Sequence, residues 1–236
     1  MDQVQRNPIG SQTTMPGSSK GKINLYVDIV SPFGYMAYWL TRNSPAFQGL
    51  DITYTPILLG GLMNATSNRP PLEITNKAQW INSERIRWTK AFRIPMAAEM
   101  PNPFPQPTVP TQRALCYISQ SHPQLLAKAL DALFHAFWVE TKTIGKVDVI
   151  REALGKALGE QVAEDVVKGL GSEAAKKALK ENSDQAFKDG AFGLPWFVAT
   201  NGKGETEGFW GVDHIGQLLD FLGVEVKREG GYKAML

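Results

Sequence analysis

Ser31 stands where a predicted strand ends and a predicted helix begins, and its hydroxyl is the first candidate for chemistry. Residues 23–30 are short and rich in β-branched side chains, and Pro32 is typical of a first helical turn. A hydroxyl at a helix N-terminus can donate to an anion, while unpaired backbone N–H groups and the helix dipole add positive potential. Serine is also a favoured N-cap. The segment therefore predicts either an anion-binding serine or a plain helix cap.

One cysteine and three histidines limit the redox and metal chemistry that this sequence predicts. Cys116 has no second thiol to pair with, which excludes an intramolecular disulfide, a C-x-x-C centre and a cysteine-based metal site. It lies in an apolar stretch typical of a buried helix, and we expect it to be inert. His122, His135 and His214 lack the H-x-x-x-H spacing of a zinc site. The sequence therefore predicts no metal site and a reducing, intracellular compartment.

Composition favours a small-molecule partner. Of the 236 residues, 43% are hydrophobic and 20% charged, enough to bury the core of one large domain or two small interlocked ones. The 25 basic and 23 acidic side chains leave a net charge of +2, which indicates neither nucleic acid nor an anionic membrane surface as partner. No apolar run reaches the ~18 residues that a membrane-spanning helix needs. We therefore expect no nucleic acid and no membrane among the partners.

A strand, a helix and a second strand are predicted near the start of the chain, at 23–30, 34–43 and 51–57. Three elements in so short a stretch predict a βαβ unit, with parallel strands joined by a right-handed crossover. The glycine, asparagine, proline and serine content of residues 60–75 then predicts a loop.

The middle of the chain, residues 77–190, is predicted to be almost wholly helical, with five or six helices. The clearest is 123–140, which begins with proline and carries a broad apolar stripe. Residues 101–110 contain five prolines and predict an extended surface loop that lines a site. A β-hairpin and a helix are predicted to follow, at 196–199, 209–210 and 213–222.

Four motifs accompany this order of elements: D-I-V-S-P-F-G-Y at 28–35, N-A-T-S-N-R-P-P at 64–71, G-A-F-G-L-P at 190–195 and G-V-D-H at 211–214. Over roughly residues 22–224, the order and the motifs resemble the kappa class of glutathione transferases. They also resemble the related 2-hydroxychromene-2-carboxylate isomerases, and both share their architecture with the bacterial oxidoreductase DsbA. The resemblance implies an α/β, thioredoxin-like fold with an inserted all-helical domain.

The resemblance also implies a division of the chain. A flexible N-terminal arm is expected over 1–21, and a polar C-terminal tail over 225–236. The thioredoxin-like domain is expected to consist of 22–75 and 190–224, with the helical domain, 76–189, inserted between its halves.

Two of the motifs are implied to hold the cysteinyl part of glutathione. Ser31 takes the place of the nucleophilic cysteine of redox relatives, and Gly34 takes that of the second cysteine. Ser31 would then hold the sulfur as a thiolate. The loop that precedes Pro195 resembles the family's cis-proline loop, in which the main chain of Leu194 pairs with the peptide like an added strand.

The other two motifs are implied to hold the ends of the peptide. Asn68 and Lys77 match the family positions that bind it, and a lysine with an amide suits a carboxylate. Asp213 matches an aspartate at the start of the last helix, where the γ-glutamyl group binds. Val212 and His214 stand where the family has serine and arginine, so we expect weaker and more pH-dependent affinity at this end.

Glu84 stands where the family has an aspartate that reaches into the neighbouring subunit's site, which implies a homodimer. The longer side chain of glutamate leaves open an ordinary surface ion pair instead. Phe33, Tyr35 and the aromatic residue of the 101–110 loop are expected to wall the pocket of an electrophile.

The implied activity is conjugation of glutathione to a small electrophile. The alternatives are a glutathione-dependent cis-trans isomerase of the 2-hydroxychromene-2-carboxylate type and a non-catalytic glutathione-binding protein. Thiol-disulfide exchange is excluded because Ser31 and Gly34 cannot form a disulfide. A cytoplasmic location is expected, with a mitochondrial or peroxisomal one as the alternative.

Overall fold

The computed structural model describes residues 21–224, and a four-stranded mixed sheet organises this part of the chain. Its strands are β1 (Lys22–Val27), β2 (Asp51–Pro56), β3 (Trp196–Thr200) and β4 (Thr206–Trp210), in the order β2-β1-β3-β4. β1 pairs with β2 in parallel and with β3 antiparallel, and β3 pairs with β4 antiparallel. Residues 1–20 of the expected arm and the whole 225–236 tail lie outside the described residues.

The predicted βαβ unit is confirmed, with a shorter first strand. Helix α1 (Pro32–Asn43) connects β1 to β2 and packs on β1, contributing buried Tyr35, Met36 and Tyr38 to the main core. β1 ends at Val27 rather than at residue 30, because Asp28 closes a turn with its own main chain and side chain. Its carbonyl oxygen accepts the Ser31 N–H at 3.0 Å, and its Oδ1 accepts the Val30 N–H at 3.1 Å.

The prediction of a loop over 60–75 was wrong for its first part, which forms helix α2 (Leu59–Ala65). Two adjacent glycines weaken the helical propensity of this stretch, so local sequence favours a loop. Tertiary contacts override that preference. Leu62 is buried at 1% exposure in a small cluster with Ala186 and Trp196, and Asp28 Oδ2 accepts the N–H of Leu59 at 2.8 Å.

Six helices lie between β2 and β3 after α2, in agreement with the predicted helical insertion. They are α3 (Lys77–Phe92), α4 (Val109–Ser121), α5 (Leu126–Trp138), α6 (Val147–Leu158), α7 (Glu160–Gly169) and α8 (Glu173–Lys188). The predicted helix 123–140 is α5 preceded by a 3-10 turn at Pro123–Leu125. After β4, a 3-10 turn at Val212–His214 leads into the short helix α9 (Ile215–Phe221).

The insertion is fastened to the carboxyl ends of the parallel strands. Gln112, fully buried in α4, donates through Nε2 to the carbonyl oxygens of Val27 at 2.9 Å and Ile57 at 2.6 Å. Trp138, at the end of α5, donates through Nε1 to the carbonyl oxygen of Ile29 at 2.8 Å. The helical part therefore holds the strand ends from which the predicted site is built.

None of the helices within residues 21–224 has both the length and the apolar character that crossing a bilayer requires.

Candidate functional site

One edge of the sheet gathers most of the motifs that the sequence singles out. Tyr26 of β1, Trp196 of β3 and Trp210 of β4 are register partners in one row across the sheet. Because β3 runs antiparallel to both neighbours, the end of β1, the start of β3 and the end of β4 meet there. Ser31, the Leu194-Pro195 peptide and the turn at 211–214 therefore lie at the same edge, although up to about 180 residues separate them in the chain.

Ser31 is the N-cap of α1 and is 4% exposed. Its Oγ accepts the N–H of Gly34 at 3.0 Å, which confirms the prediction that Ser31 caps the helix. This bond uses an oxygen lone pair and leaves the hydroxyl proton able to donate. The cap and an anion-binding role can therefore coexist in one residue.

The first turn of α1 offers a second donor beside this hydroxyl. Pro32 has no N–H, and the N–H of Gly34 is bound to Ser31. Within residues 21–224, the N–H of Phe33 meets no acceptor, as is usual for the first turn of a helix. A hydroxyl, a backbone N–H and the positive end of a helix dipole suit a small anion such as a thiolate.

Asp28 lies beneath this turn and was missed as a functional candidate by sequence reasoning. It is fully buried, and burial raises the pKa of its carboxyl from 3.8 to about 6, opposed by hydrogen bonds from the N–H groups of Leu59 and Val30 and from the side chain of Thr108. The available signal was an acidic residue between Val27 and Ile29 in an otherwise apolar stretch.

The loop before β3 has the predicted cis Leu194-Pro195 peptide bond. Two bonds tie this loop to other site segments. The carbonyl oxygen of Pro195 accepts the N–H of Gly211 at 3.1 Å, and the carbonyl oxygen of Phe192 accepts from Asn68 Nδ2 at 2.8 Å. Leu194 and Pro195 are buried, whereas Asn68 is exposed. The predicted Asn68 and Leu194 positions are thus brought together.

The three predicted residues after Gly211 differ in what they can offer a ligand. Val212 is 3% exposed and packs in the main core, so its side chain is not available to a ligand. Asp213 and His214 are accessible, with Asp213 Oδ1 3.3 Å from His214 Nδ1. The Nδ1 atom itself is buried and, within the described residues, makes no well-formed hydrogen bond, so the contact is a proximity rather than a bond.

Lys77 and Glu84 lie on α3, in the helical insertion. Lys77 is exposed at the first position of the helix. Its ammonium forms no ion pair with another of the described residues. Glu84 forms an ion pair with Arg87 of the same helix, the ordinary surface pairing that its length left open. Residue 85 is instead buried, and Arg85 Nη1 donates to the carbonyl oxygen of Ala97 at 2.6 Å.

The expected aromatic wall is only partly present. Tyr35 is 4% exposed, its ring stacks on Phe134 at 5.1 Å and its hydroxyl donates to the carbonyl oxygen of Pro95, so the prediction that it walls a pocket was wrong. Phe104 of the proline-rich loop packs edge-on against Trp138. Phe33, two residues after Ser31, is half-buried and packs against the main core.

A groove of about 690 Å³ lies elsewhere, between β2, the end of α1 and the insertion. Its walls include Arg42, Tyr54 and Asn182, and none of the predicted site residues. Cys116 packs at the end of β2, with its Sγ 3.8 Å from the carbonyl oxygen of Pro56. It is fully buried, as expected, and burial raises the pKa of its thiol from 9.0 to about 12.

The order β1, α1, β2, helical insertion, β3, β4, α9 and the loop before β3 define a thioredoxin fold carrying a helical insertion. A family model described as a DSBA-like thioredoxin domain matches residues 22–223. The chain therefore belongs to the DSBA-like thioredoxin family, and its fold is the mixed α/β DsbA-like one with a helical insertion between strands.

Comparison with individual proteins shows which members of this family the chain resembles. The chain is 28% identical to glutathione S-transferase kappa 1 of Rattus norvegicus over 213 residues, which covers 88% of this chain and 93% of the relative. It is 23% identical to 2-hydroxychromene-2-carboxylate isomerase of Sphingobium xenophagum over 210 residues, covering 85% and 97%. A solved structure of such an isomerase superposes with a TM-score of 0.69 at 23% identity, covering 86% of this chain and 94% of the other. The chain is a distant homologue of both groups.

Proposed function

We propose that this chain is a glutathione transferase that conjugates the thiolate of glutathione to a small electrophile. The observation that carries the proposal is the meeting of Ser31, the cap of α1, with the cis Leu194-Pro195 loop and the 211–214 turn at one sheet edge. The homology to kappa-class transferases supports the same activity.

The Ser31 hydroxyl has the task of favouring the thiolate over the thiol. Each unit by which the pKa of the bound thiol falls needs ~1.4 kcal/mol of preference for the anion. A charge-assisted hydrogen bond supplies ~1.5–3 kcal/mol, and a helix N-terminus a further ~0.3–1 kcal/mol. The Ser31 hydroxyl with the Phe33 N–H is therefore sufficient for a shift of about two units.

In the proposed reaction the thiol proton leaves to solvent, and the sulfur lone pair forms a carbon–sulfur bond to the electrophile. With an aryl halide, halide leaves with its bonding electrons. With a conjugated double bond, the new carbanion takes up a proton. Ser31 holds a hydrogen bond to the sulfur until the new bond forms and is not consumed.

The ends of the peptide are assigned by charge. Lys77 offers an exposed ammonium and Asn68 an exposed amide for a carboxylate of glutathione. Asp213 offers a carboxylate to the γ-glutamyl ammonium, with the main chain of Val212 and the ring of His214 beside it. Leu194 and Pro195 offer main-chain pairing to the cysteinyl residue.

The second candidate is a glutathione-dependent isomerase, favoured by the likeness to the 2-hydroxychromene-2-carboxylate isomerases. The same thiolate would add to a conjugated double bond, allow rotation about the resulting single bond and then leave. A third candidate, glutathione binding without turnover, is motivated by valine and histidine at 212 and 214.

Assays with an activated aryl halide and with a chromene carboxylate would separate the three candidates. A transferase consumes glutathione in proportion to product, whereas an isomerase regenerates it. Binding of glutathione by calorimetry with no turnover of either compound would favour the third candidate. Absence of glutathione binding would overturn all three.

We also propose a homodimer in which Glu84 reaches the partner subunit's site, which requires its ion pair with Arg87 to open. Light scattering at micromolar concentration should give twice the 26.0 kDa chain mass. A monomer under those conditions would contradict the proposal.

A further inference from the structure

The turn from Asp28 to Ser31 is held from several sides. The N–H of Ser31 donates to the carbonyl oxygen of Asp28 at 3.0 Å, which closes the turn. Its middle carbonyl, that of Ile29, accepts from Trp138 Nε1 at 2.8 Å. The N–H of Val30 is bound by Asp28 Oδ1 at 3.1 Å. Removing the carboxylate would leave the partly buried N–H of Val30 without this acceptor.

The second carboxylate oxygen reaches a different element. Asp28 Oδ2 accepts the N–H of Leu59, the first residue of α2, at 2.8 Å. The end of α2 carries the segment of Asn68, whose N–H donates to the carbonyl oxygen of Met63 at 2.9 Å. Asn68 in turn holds the carbonyl oxygen of Phe192. One buried carboxylate thus connects the Ser31 turn to the helix that leads to the cis-proline loop.

We propose that Asp28 is a positioning residue, whose buried carboxylate holds the Ser31 turn and the start of α2 so that the Ser31 hydroxyl and the Phe33 N–H are preset for a thiolate. This inference rests on the proposed function. Preset donors need no reorganisation when charge develops on the bound sulfur, which is what makes them effective.

A carboxylate is specifically suited to this position. Asp28 receives two backbone N–H groups on two different oxygens and, when ionised, has no donor of its own. An asparagine would turn its NH₂ towards either Val30 or Leu59, placing donor against donor. Burial raises the pKa of this carboxyl, so its ionised form depends on the hydrogen bonds that it accepts here.

A charge effect of Asp28 and a positioning effect of Asp28 predict opposite changes in the pKa of the bound thiol, so one titration separates them. An ionised carboxylate near the sulfur disfavours a second negative charge. If Asp28 acted only through its charge, its removal would lower the pKa of the bound thiol. If Asp28 positions the donors, its removal raises that pKa because the hydroxyl and the N–H lose their alignment.

The experiment is a titration of bound glutathione by thiolate absorbance in the wild type, Asp28→Asn and the control Asp131→Asn. Asp131, on α5, accepts from Tyr38 and Arg42 of α1, so the control removes a carboxylate charge without touching the Ser31 turn. We expect Asp28→Asn to raise the pKa of the bound thiol by about one unit and to lower kcat about tenfold at neutral pH, with the control unchanged.

A lowered or unchanged pKa of the bound thiol in folded Asp28→Asn would overturn the positioning role. If the wild type itself fails to lower the pKa of glutathione, the proposed function fails instead, so the two failures are distinguishable. A KM for the electrophile that stays constant while kcat falls would support positioning of the donors rather than loss of the pocket.

A measurement on the wild type decides the matter should Asp28→Asn fail to fold. Amides in the first turn of a helix normally exchange quickly with solvent. We expect the amides of Val30 and Leu59 to be protected, and that of Phe33, at the start of α1, to exchange faster. Equal exchange at all three would overturn the proposal, because it would show that the carboxylate does not hold the two segments.

Discussion

Gly211 donates its backbone N–H to the carbonyl oxygen of Pro195 at 3.1 Å, which joins the end of β4 to the loop before β3. The bond brings the turn that carries Asp213 beside the cis Leu194-Pro195 peptide. A tripeptide paired with the main chain of Leu194 would therefore have one end at Asp213.

Ser31→Ala should raise the pKa of bound glutathione by about 1–2 units, because a charge-assisted hydrogen bond worth ~1.5–3 kcal/mol is lost. Turnover at neutral pH should fall and partly recover at alkaline pH. The variant should also lose about 1 kcal/mol of unfolding free energy, since Ser31 Oγ caps the Gly34 N–H. Thiolate absorbance against pH and denaturant unfolding measure the two effects.

Ser172→Ala is the matched control for this variant. Ser172 caps α8 with the same geometry, its Oγ accepting the Ala175 N–H at 3.2 Å, and is no part of the site. It should lose a similar free energy of unfolding and leave the pKa of the bound thiol unchanged. An unshifted thiol titration in Ser31→Ala, with conjugation rates intact, would contradict the proposed mechanism.

Lys77→Ala should weaken glutathione binding about fivefold, the effect of losing ~1 kcal/mol from an exposed ion pair. Stability should hardly change, because the side chain is exposed. Lys90→Ala, some 20 Å further along the same helix, is the control and should bind normally. Calorimetric titration that gives equal dissociation constants for both variants would remove Lys77 from the site.

Gly211→Ala should weaken glutathione binding by moving Asp213. Gly211 has φ 92°, and a Cβ there would collide with Asp213 Oδ1. Gly204 also has positive φ, 84°, but a Cβ would meet nothing within 4 Å. Both alanine variants should lose about 1–2 kcal/mol of stability from backbone strain, whereas only Gly211→Ala should lose affinity. Equal affinity in the two variants would argue against Asp213 as a ligand.

Cys116 should resist alkylation in the folded protein at pH 8. Burial raises its pKa to about 12, so the thiol is almost wholly protonated at that pH, and its burial denies the reagent access to it. The neutral thiol favours the fold below the unfolded pKa near 9, and this contribution is lost as pH rises from about 9 towards 12. The resistance to alkylation is measured by labelling followed by mass spectrometry, with denatured protein as the positive control. Rapid stoichiometric labelling of the folded protein would contradict the prediction.

The sequence by itself determined the type and order of the main elements. The strand before Ser31, the parallel βαβ unit, the helical middle and the closing hairpin all follow from apolar periodicity and from turn residues, which act over a few neighbouring positions. The serine cap, the loop before β3 and the buried character of Cys116 were readable for the same reason.

Tertiary structure alone decided what local patterns do not encode. Helix α2 forms despite its two glycines because Leu62 finds a buried cluster and Leu59 finds a carboxylate 31 positions earlier in the chain. Tyr35 packs in the core rather than against a pocket, because its ring stacks on Phe134 and its hydroxyl donates to the carbonyl oxygen of Pro95. Asp28 likewise acquires its raised pKa and both of its connections only when burial removes water from it and distant N–H groups replace that water.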